Sequence, residues 1–216
     1  GVRRGQTIVE LWPGRGWYTE ILTTAVGPKG KVIAAGFDPD SSIDYFKKNA
    51  AKFAKHLEDN QAHFSNVQLA VFDAPKRVDF APADSVDMVL TFRNVHNWMR
   101  TEEQVQAAFA GMFAALKPGG TLGVVEHRLP EDRDWETHKR SGYVKVSKVI
   151  ALAEAAGFTL VAKSEINANP KDTADYETGV WTLPPTLRNG DKDKEKYLAI
   201  GESDRMTLKF VKPLKK

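Results

Sequence analysis

Two groups of residues in this chain have the types and spacing that chemistry needs. The first is the run Ile8-Val9-Glu10-Leu11-Trp12-Pro13-Gly14-Arg15-Gly16-Trp17-Tyr18-Thr19, which reads as a strand, a tight turn and the opening of a helix. Gly14 and Gly16 carry no side chain, so a ligand can approach the backbone closely and unusual φ angles cost little. The helix that follows presents free N–H groups and the positive end of its dipole. In open α/β sheets, ligands sit at the carboxyl ends of such strands. The alternative is a turn that binds nothing. The second group is a pair of histidines at predicted strand ends: His96 in Arg93-Asn94-Val95-His96-Asn97-Trp98, and His127 in Glu126-His127-Arg128. Each can titrate near neutral pH and act as a base, with carboxylate or guanidinium neighbours to shift it. On adjacent strand ends the two could meet over one ligand, or each could only hydrogen-bond the sheet edge. His56, His63 and His138 stand in polar helical or loop contexts and are expected to be solvated.

Several chemistries are disfavoured. The dinucleotide fingerprint G-x-G-x-x-G lacks its third glycine, because Thr19 stands there, and no Gly-Lys-Ser/Thr phosphate loop exists. The absence of cysteine removes disulfides, thiolate metal sites and cysteine nucleophiles together. No metal site is expected, since Glu126 and His127 are neighbours that should point to opposite faces of a strand. Neither H-x-x-x-H nor H-E-x-x-H occurs.

The elements that must position these residues alternate along the chain. Short apolar runs predict strands at Thr7–Trp12, Lys31–Phe37, Val67–Asp73, Ser85–Arg93, Thr121–His127, Phe158–Ile166 and Arg205–Val211. Phe46, Ala50, Phe53, Ala54 and Leu57 form one helical stripe, and Val105, Phe109, Met112, Phe113 and Leu116 another. Thr101 can cap the second helix, and Gly119-Gly120 should stop it. A third helix is expected over Val144 to Ala156, ending at Gly157. Strand–helix alternation with short connections implies right-handed crossovers and an open, mostly parallel sheet. From about 165 to 204 periodicity is weak, as in a functional loop or lid. The 216 residues suit a single domain, 1–216, and the net charge of +3 is too small to argue for nucleic acid. No apolar run approaches a membrane span. The only biased block is the basic end Lys212-Pro213-Leu214-Lys215-Lys216. The chain begins at Gly1 rather than Met, so a preceding segment, such as a targeting sequence, is expected either to have been removed or to lie outside this sequence.

Taken in order, these motifs resemble the class I S-adenosylmethionine-dependent methyltransferases over nearly the whole chain. More closely, the chain looks like a bacterial subgroup, known as predicted methyltransferases, whose first motif reads Pro-Gly-x-Gly-Trp-Tyr-Thr. Glu10 matches the family's first acidic residue and Gly14 and Gly16 its later glycines. Ser85–Leu90 resembles the fourth-strand motif, and Lys117-Pro118-Gly119-Gly120 the turn before the fifth strand. The resemblance implies a three-layer, Rossmann-like α/β fold with a seven-stranded, mostly parallel sheet and an antiparallel last strand. It also implies S-adenosyl-L-methionine as cofactor, with Glu10, Gly14 and Gly16 at its methionine end. Asp73 would lie near the adenine amine, although it reads equally well as a turn residue. Asn94 and Trp12 would join them around the cofactor. The ribose-gripping acid should fall near residue 36, where Gly36 stands, so Asp38 or Asp40 would have to substitute. Trp12 and Pro13 replace a glycine and a small residue, which implies a stiffer loop and a narrower pocket. Only six residues precede the first strand, where the family has a covering helix, so an open site is expected. The central requirement is room for an adenosyl group beyond Gly14 and Gly16, not filled by the indole of Trp12.

The expected function is therefore methyl transfer to an unidentified small molecule, with His96 and His127 as candidate bases. The alternative is a methyltransferase-like domain without transfer activity that binds a ligand or partner. Nucleic acid is set aside because Thr91-Phe92-Arg93-Asn94 replaces the Asn/Asp-Pro-Pro-aromatic run of amino-methylating relatives. Trp17, Tyr18, Trp98 and Tyr143 could wall a small-molecule pocket or lie in the core, and the loop around Trp181 could close over it. The compartment stays open between exported or periplasmic and cytoplasmic, and the sequence leaves the oligomeric state open.

Overall fold

The structure, a computed structural model, describes residues 1–214, so Lys215 and Lys216 of the basic end lie outside the described residues. Its first half runs β1 (Thr7–Leu11), α1 (Trp17–Val26), β2 (Lys31–Gly36), α2 (Asp44–Asp59), β3 (Val67–Val71), β4 (Val86–Phe92), α3 (Val95–Trp98) and α4 (Glu102–Ala115). Its second half runs β5 (Leu116–Leu129), α5 (Trp135–His138), β6 (Val144–Lys145), α6 (Val146–Ala155), β7 (Thr159–Ser164), a 3-10 turn (Gly179–Thr182), α7 (Lys194–Ile200) and β8 (Arg205–Val211).

The sheet order is β3-β2-β1-β4-β5-β8-β7, with the short β6 pairing β5 off this path. β1 is parallel to both β2 and β4, whereas β8 is antiparallel to its neighbours β5 and β7. This is the expected α/β sheet with an antiparallel last strand, and β6 is the one addition. Strand order reverses beside β1, so the ends of β1 and β4 flank the crevice where ligands of such sheets bind. Ile8, Val9 and Leu11 are wholly buried, as the covered faces of a parallel strand require.

The helices form where the stripes place them, with two adjustments. Thr101 caps α4 by accepting from the Gln104 N–H at 3.1 Å. That helix ends at Ala115, before Gly119-Gly120. The Lys117-Pro118-Gly119-Gly120 run instead opens β5, where the Gly119 N–H donates to the Lys212 carbonyl at 2.7 Å. The third helix starts two residues late, because Val144 and Lys145 pair with Arg128 and Leu129 as β6.

The stretch around 165–204 is pinned down rather than loose. Arg128 forks onto Asp204 at 2.7 and 2.8 Å and reaches Glu165 at 2.7 Å. Asp172 accepts from the Tyr143 hydroxyl at 3.0 Å and from the Asp204 N–H at 2.7 Å. Burial and the Asp172 carboxylate push the Tyr143 phenol far above its ordinary range. Tyr143 and Trp98 are core side chains, 1% and 0% exposed, so neither walls an open pocket.

Candidate active site

At the end of β1 the chain turns sharply. Trp12, Gly14 and Gly16 all adopt left-handed backbone, with φ of 49°, 62° and 89°. A Cβ on Gly16 would lie 2.9 Å from the Phe53 ring, whereas one on Gly14 would meet nothing within 4 Å. Gly16 thus serves packing, and Gly14 presents bare backbone outward. Beneath the turn Glu10 is 1% exposed and accepts from the Thr19 hydroxyl at 2.6 Å. Burial pushes its carboxyl up to about 7, against the opposing pull of the Thr19 hydrogen bond.

The crevice beyond the turn is not open. The Trp12 indole lies 4.7 Å from Phe37, 5.9 Å from Phe46, 6.4 Å from Phe72 and 5.6 Å from Trp98, centroid to centroid. Its Nε1 donates to the Phe72 carbonyl at 3.0 Å. A cavity of about 160 Å³ remains beside it, bounded by Gly14, Gly36, Phe37 and Phe53, below the roughly 300 Å³ where small-molecule sites begin. The expectation of an open site is therefore corrected: an aromatic side chain covers the sheet edge there. Behind it Trp98 Nε1 is buried with no hydrogen-bond partner among the described residues.

The other expected cofactor residues are engaged with the protein itself. The Asn94 amide donates to the Leu11 carbonyl at 3.0 Å and clasps the loop after β4 to the end of β1. Asp38 takes an ion pair from Arg77 at 3.0 Å. The Asp40 N–H and that guanidinium hold its carboxyl below the usual range. Asp73 exchanges two backbone hydrogen bonds of 2.8 Å with Arg77, which fits its reading as a turn residue. Arg77 thus joins the two acids at one edge of the turn.

One strand further along, the two histidines meet. Glu126, wholly buried on β5, accepts from the His96 N–H at 3.0 Å and from the His127 N–H at 2.8 Å. Its Oε1 also lies 3.0 Å from His96 Nδ1. An ionised carboxylate only accepts, so Nδ1 carries a proton and Nε2 of a neutral His96 is left as acceptor. Burial would raise Glu126, but the charge and hydrogen bonds of His96 and His127 outweigh it and hold the carboxyl below its usual range. The two imidazoles are 5.6 Å apart, and His127 Nδ1 sits 2.5 Å from the Ser203 hydroxyl. Burial, the largest influence, pushes His127 down to about 3. His127 therefore stays neutral where it was expected to titrate, because burial strips its cation of hydration.

Glu126 and His127 leave opposite faces of β5, yet His96 comes over the strand tip and donor atoms of all three lie within 4.8 Å of one another. The carboxylate oxygens of the cluster are already engaged by the N–H groups of His96 and His127. The arrangement is that of a histidine oriented by a buried carboxylate. Above His96 opens a cavity of about 570 Å³ whose walls include Arg100, Lys139, Arg140 and Trp181. Trp181 lines this cavity: its ring is 6.0 Å from His96 and carries the Arg188 guanidinium at 4.5 Å. Trp17 is 65% exposed and Tyr18 stacks on Phe92 at 3.7 Å. The role of Glu126 could have been suspected from its adjacency to His127. The three wall cations sit in polar segments with no periodic signal.

No protein-family model matches the chain. In sequence it is 32% identical over 130 residues to the ubiquinone/menaquinone biosynthesis C-methyltransferase UbiE of Salmonella arizonae, a match covering 60% of this chain and 46% of that protein. The chain thus spans about half the length of the curated relatives it matches. Among solved structures it is similar to a SAM-dependent methyltransferase from Aquifex aeolicus, with a TM-score of 0.59, 19% identity and coverage of 76% of this chain and 78% of that one. It is also similar to phosphoethanolamine N-methyltransferase 2 of Haemonchus contortus, determined with phosphomonomethylethanolamine and S-adenosylhomocysteine. There the TM-score is 0.63 and identity 18%, over 99% of this chain and 50% of that one. The fold is that of the class I S-adenosylmethionine-dependent methyltransferases.

Proposed function

We propose that this chain is an S-adenosylmethionine-dependent methyltransferase whose acceptor is a small molecule held over His96. The observation that carries the proposal is adjacency: the Glu10–Gly16 turn and the His96–Glu126 pair occupy the tips of neighbouring strands β1, β4 and β5, clasped together by Asn94. Group transfer needs donor and acceptor sites side by side in fixed geometry. A domain that only bound a ligand would have no use for a buried carboxylate orienting a histidine beside a nucleotide-type turn. No helix among the described residues is long and apolar enough to cross a membrane. The concave shape of the His96 cavity suits a small molecule better than a nucleic-acid strand.

The residues fit the cofactor in two places. Glu10 and the bare backbone at Gly14 and Gly16 would hold its charged amino-acid end, Glu10 giving up its proton as a cationic group arrives. Trp98 Nε1, a buried donor without a partner, would serve an acceptor atom of a heterocycle lodged where the Trp12 indole now lies. Trp12 must therefore swing out from between Phe37 and Phe72, while Asp38 and Asp73 remain tied to Arg77. The cofactor, when bound, supplies an electrophilic methyl group. His96 Nε2 takes the proton that the acceptor releases, and Glu126 stabilises the imidazolium through Nδ1. His127, held neutral, packs beside His96.

Titration calorimetry with S-adenosylhomocysteine tests this reading. The expected result is saturable binding at one site per chain, and the absence of heat at about 1 mM ligand would overturn it.

A further inference from the structure

The cavity over His96 has walls of one charge. Arg100, Lys139 and Arg140 converge on it, and no acidic residue lines it. Lys139 is already paired, to Glu136 on α5. Arg100 and Arg140 have no carboxylate partner within ion-pair distance among the described residues, although the protein carries 28 Asp and Glu. Guanidinium groups left in this way present planar forks that match carboxylate or phosphate oxygens. The floor is His96, oriented from beneath by the buried Glu126, and one wall is the indole of Trp181. That indole is braced on one side by Arg188 at 4.5 Å and offers an aromatic surface to a flat molecule. The volume of about 570 Å³ suits a small molecule.

We infer that the acceptor is a small, planar organic acid. Its anionic group is held by Arg100 and Arg140 at the mouth, and its ring lies along Trp181 with the methyl-accepting hydroxyl or amine turned toward His96. The assignment of that deep group as the methyl acceptor rests on the methyltransferase reading, whereas the preference for an anion rests on the wall charges alone. The sequence could not show this, because Arg100 follows α3 and Arg140 follows α5, separated by 40 positions and joined only by the fold.

Binding of salicylate and of its neutral counterpart salicylamide to the unliganded protein tests the inference, read by calorimetry and by tryptophan fluorescence. Salicylate is expected to bind at least about tenfold more tightly than salicylamide. The preference should shrink to less than about twofold in Arg100→Gln/Arg140→Gln, whose exposed side chains leave the core untouched. The Trp181→Leu variant should lose the fluorescence change while keeping the preference for the acid. Equal binding of acid and amide would overturn the inference. So would a preference indifferent to the arginine pair, or no saturable signal from either compound at about 10 mM. Because S-adenosylhomocysteine is absent throughout, failure of the methyltransferase reading shows up separately, in the cofactor titration.

Discussion

Around Trp12 the chain sets the rings of Phe37, Phe46, Phe72 and Trp98 about an indole, with little space left and one N–H satisfied by a backbone carbonyl. Around His96, one loop away, it sets a buried carboxylate, a second imidazole and three cations about a cavity of about 570 Å³. The first region is filled by its own side chains and must open to receive anything. The second is already hollow, and its polar groups are held by one another. Preorganisation therefore lies on the side proposed for the acceptor, and the conformational cost lies on the side proposed for the cofactor.

The largest effect should come from breaking the polar side. Glu126→Ala removes the acceptor of two backbone N–H groups and of His96 Nδ1, at a cost of about 4 kcal/mol in urea unfolding. A loss under about 1 kcal/mol would mean that the carboxylate is not what holds His96.

A somewhat smaller effect sharpens the other side. The Glu10 carboxyl titrates at about 7 in the folded chain and near 4.5 when unfolded, so the folded state holds a proton that the unfolded state has lost between those values. Stability should fall as pH rises through that window and then level off. Relative to Glu10→Gln, the wild type should lose about 3 kcal/mol between pH 4.5 and 8. Parallel stability profiles for the two proteins would show that Glu10 is not desolvated.

The sequence pattern showed most of the scaffold. β8 falls on its expected residues, the stripe through Phe53 and Leu57 packs as α2, and the cap at Thr101 forms. These features depend on neighbours within a few residues, where propensity and periodicity act. The K-P-G-G run was misplaced because a glycine turn reads the same at a helix end and at a strand start. The site was only half legible. His96 and His127 could be placed on strand tips, but the protonation of His127 depends on burial, a property of the whole fold. That Trp12 fills the crevice follows from Phe37, Phe46, Phe72 and Trp98 converging from separate elements, which one sequence does not display.

On this reading a sulfonium nucleoside enters where the indole of Trp12 now rests. A crystal structure of the protein soaked with S-adenosylhomocysteine checks this. The adenosyl group should lie between Phe37 and Phe72, with the Trp12 indole displaced and Trp98 Nε1 donating to the heterocycle. Ligand bound elsewhere with Trp12 still donating to the Phe72 carbonyl would contradict it.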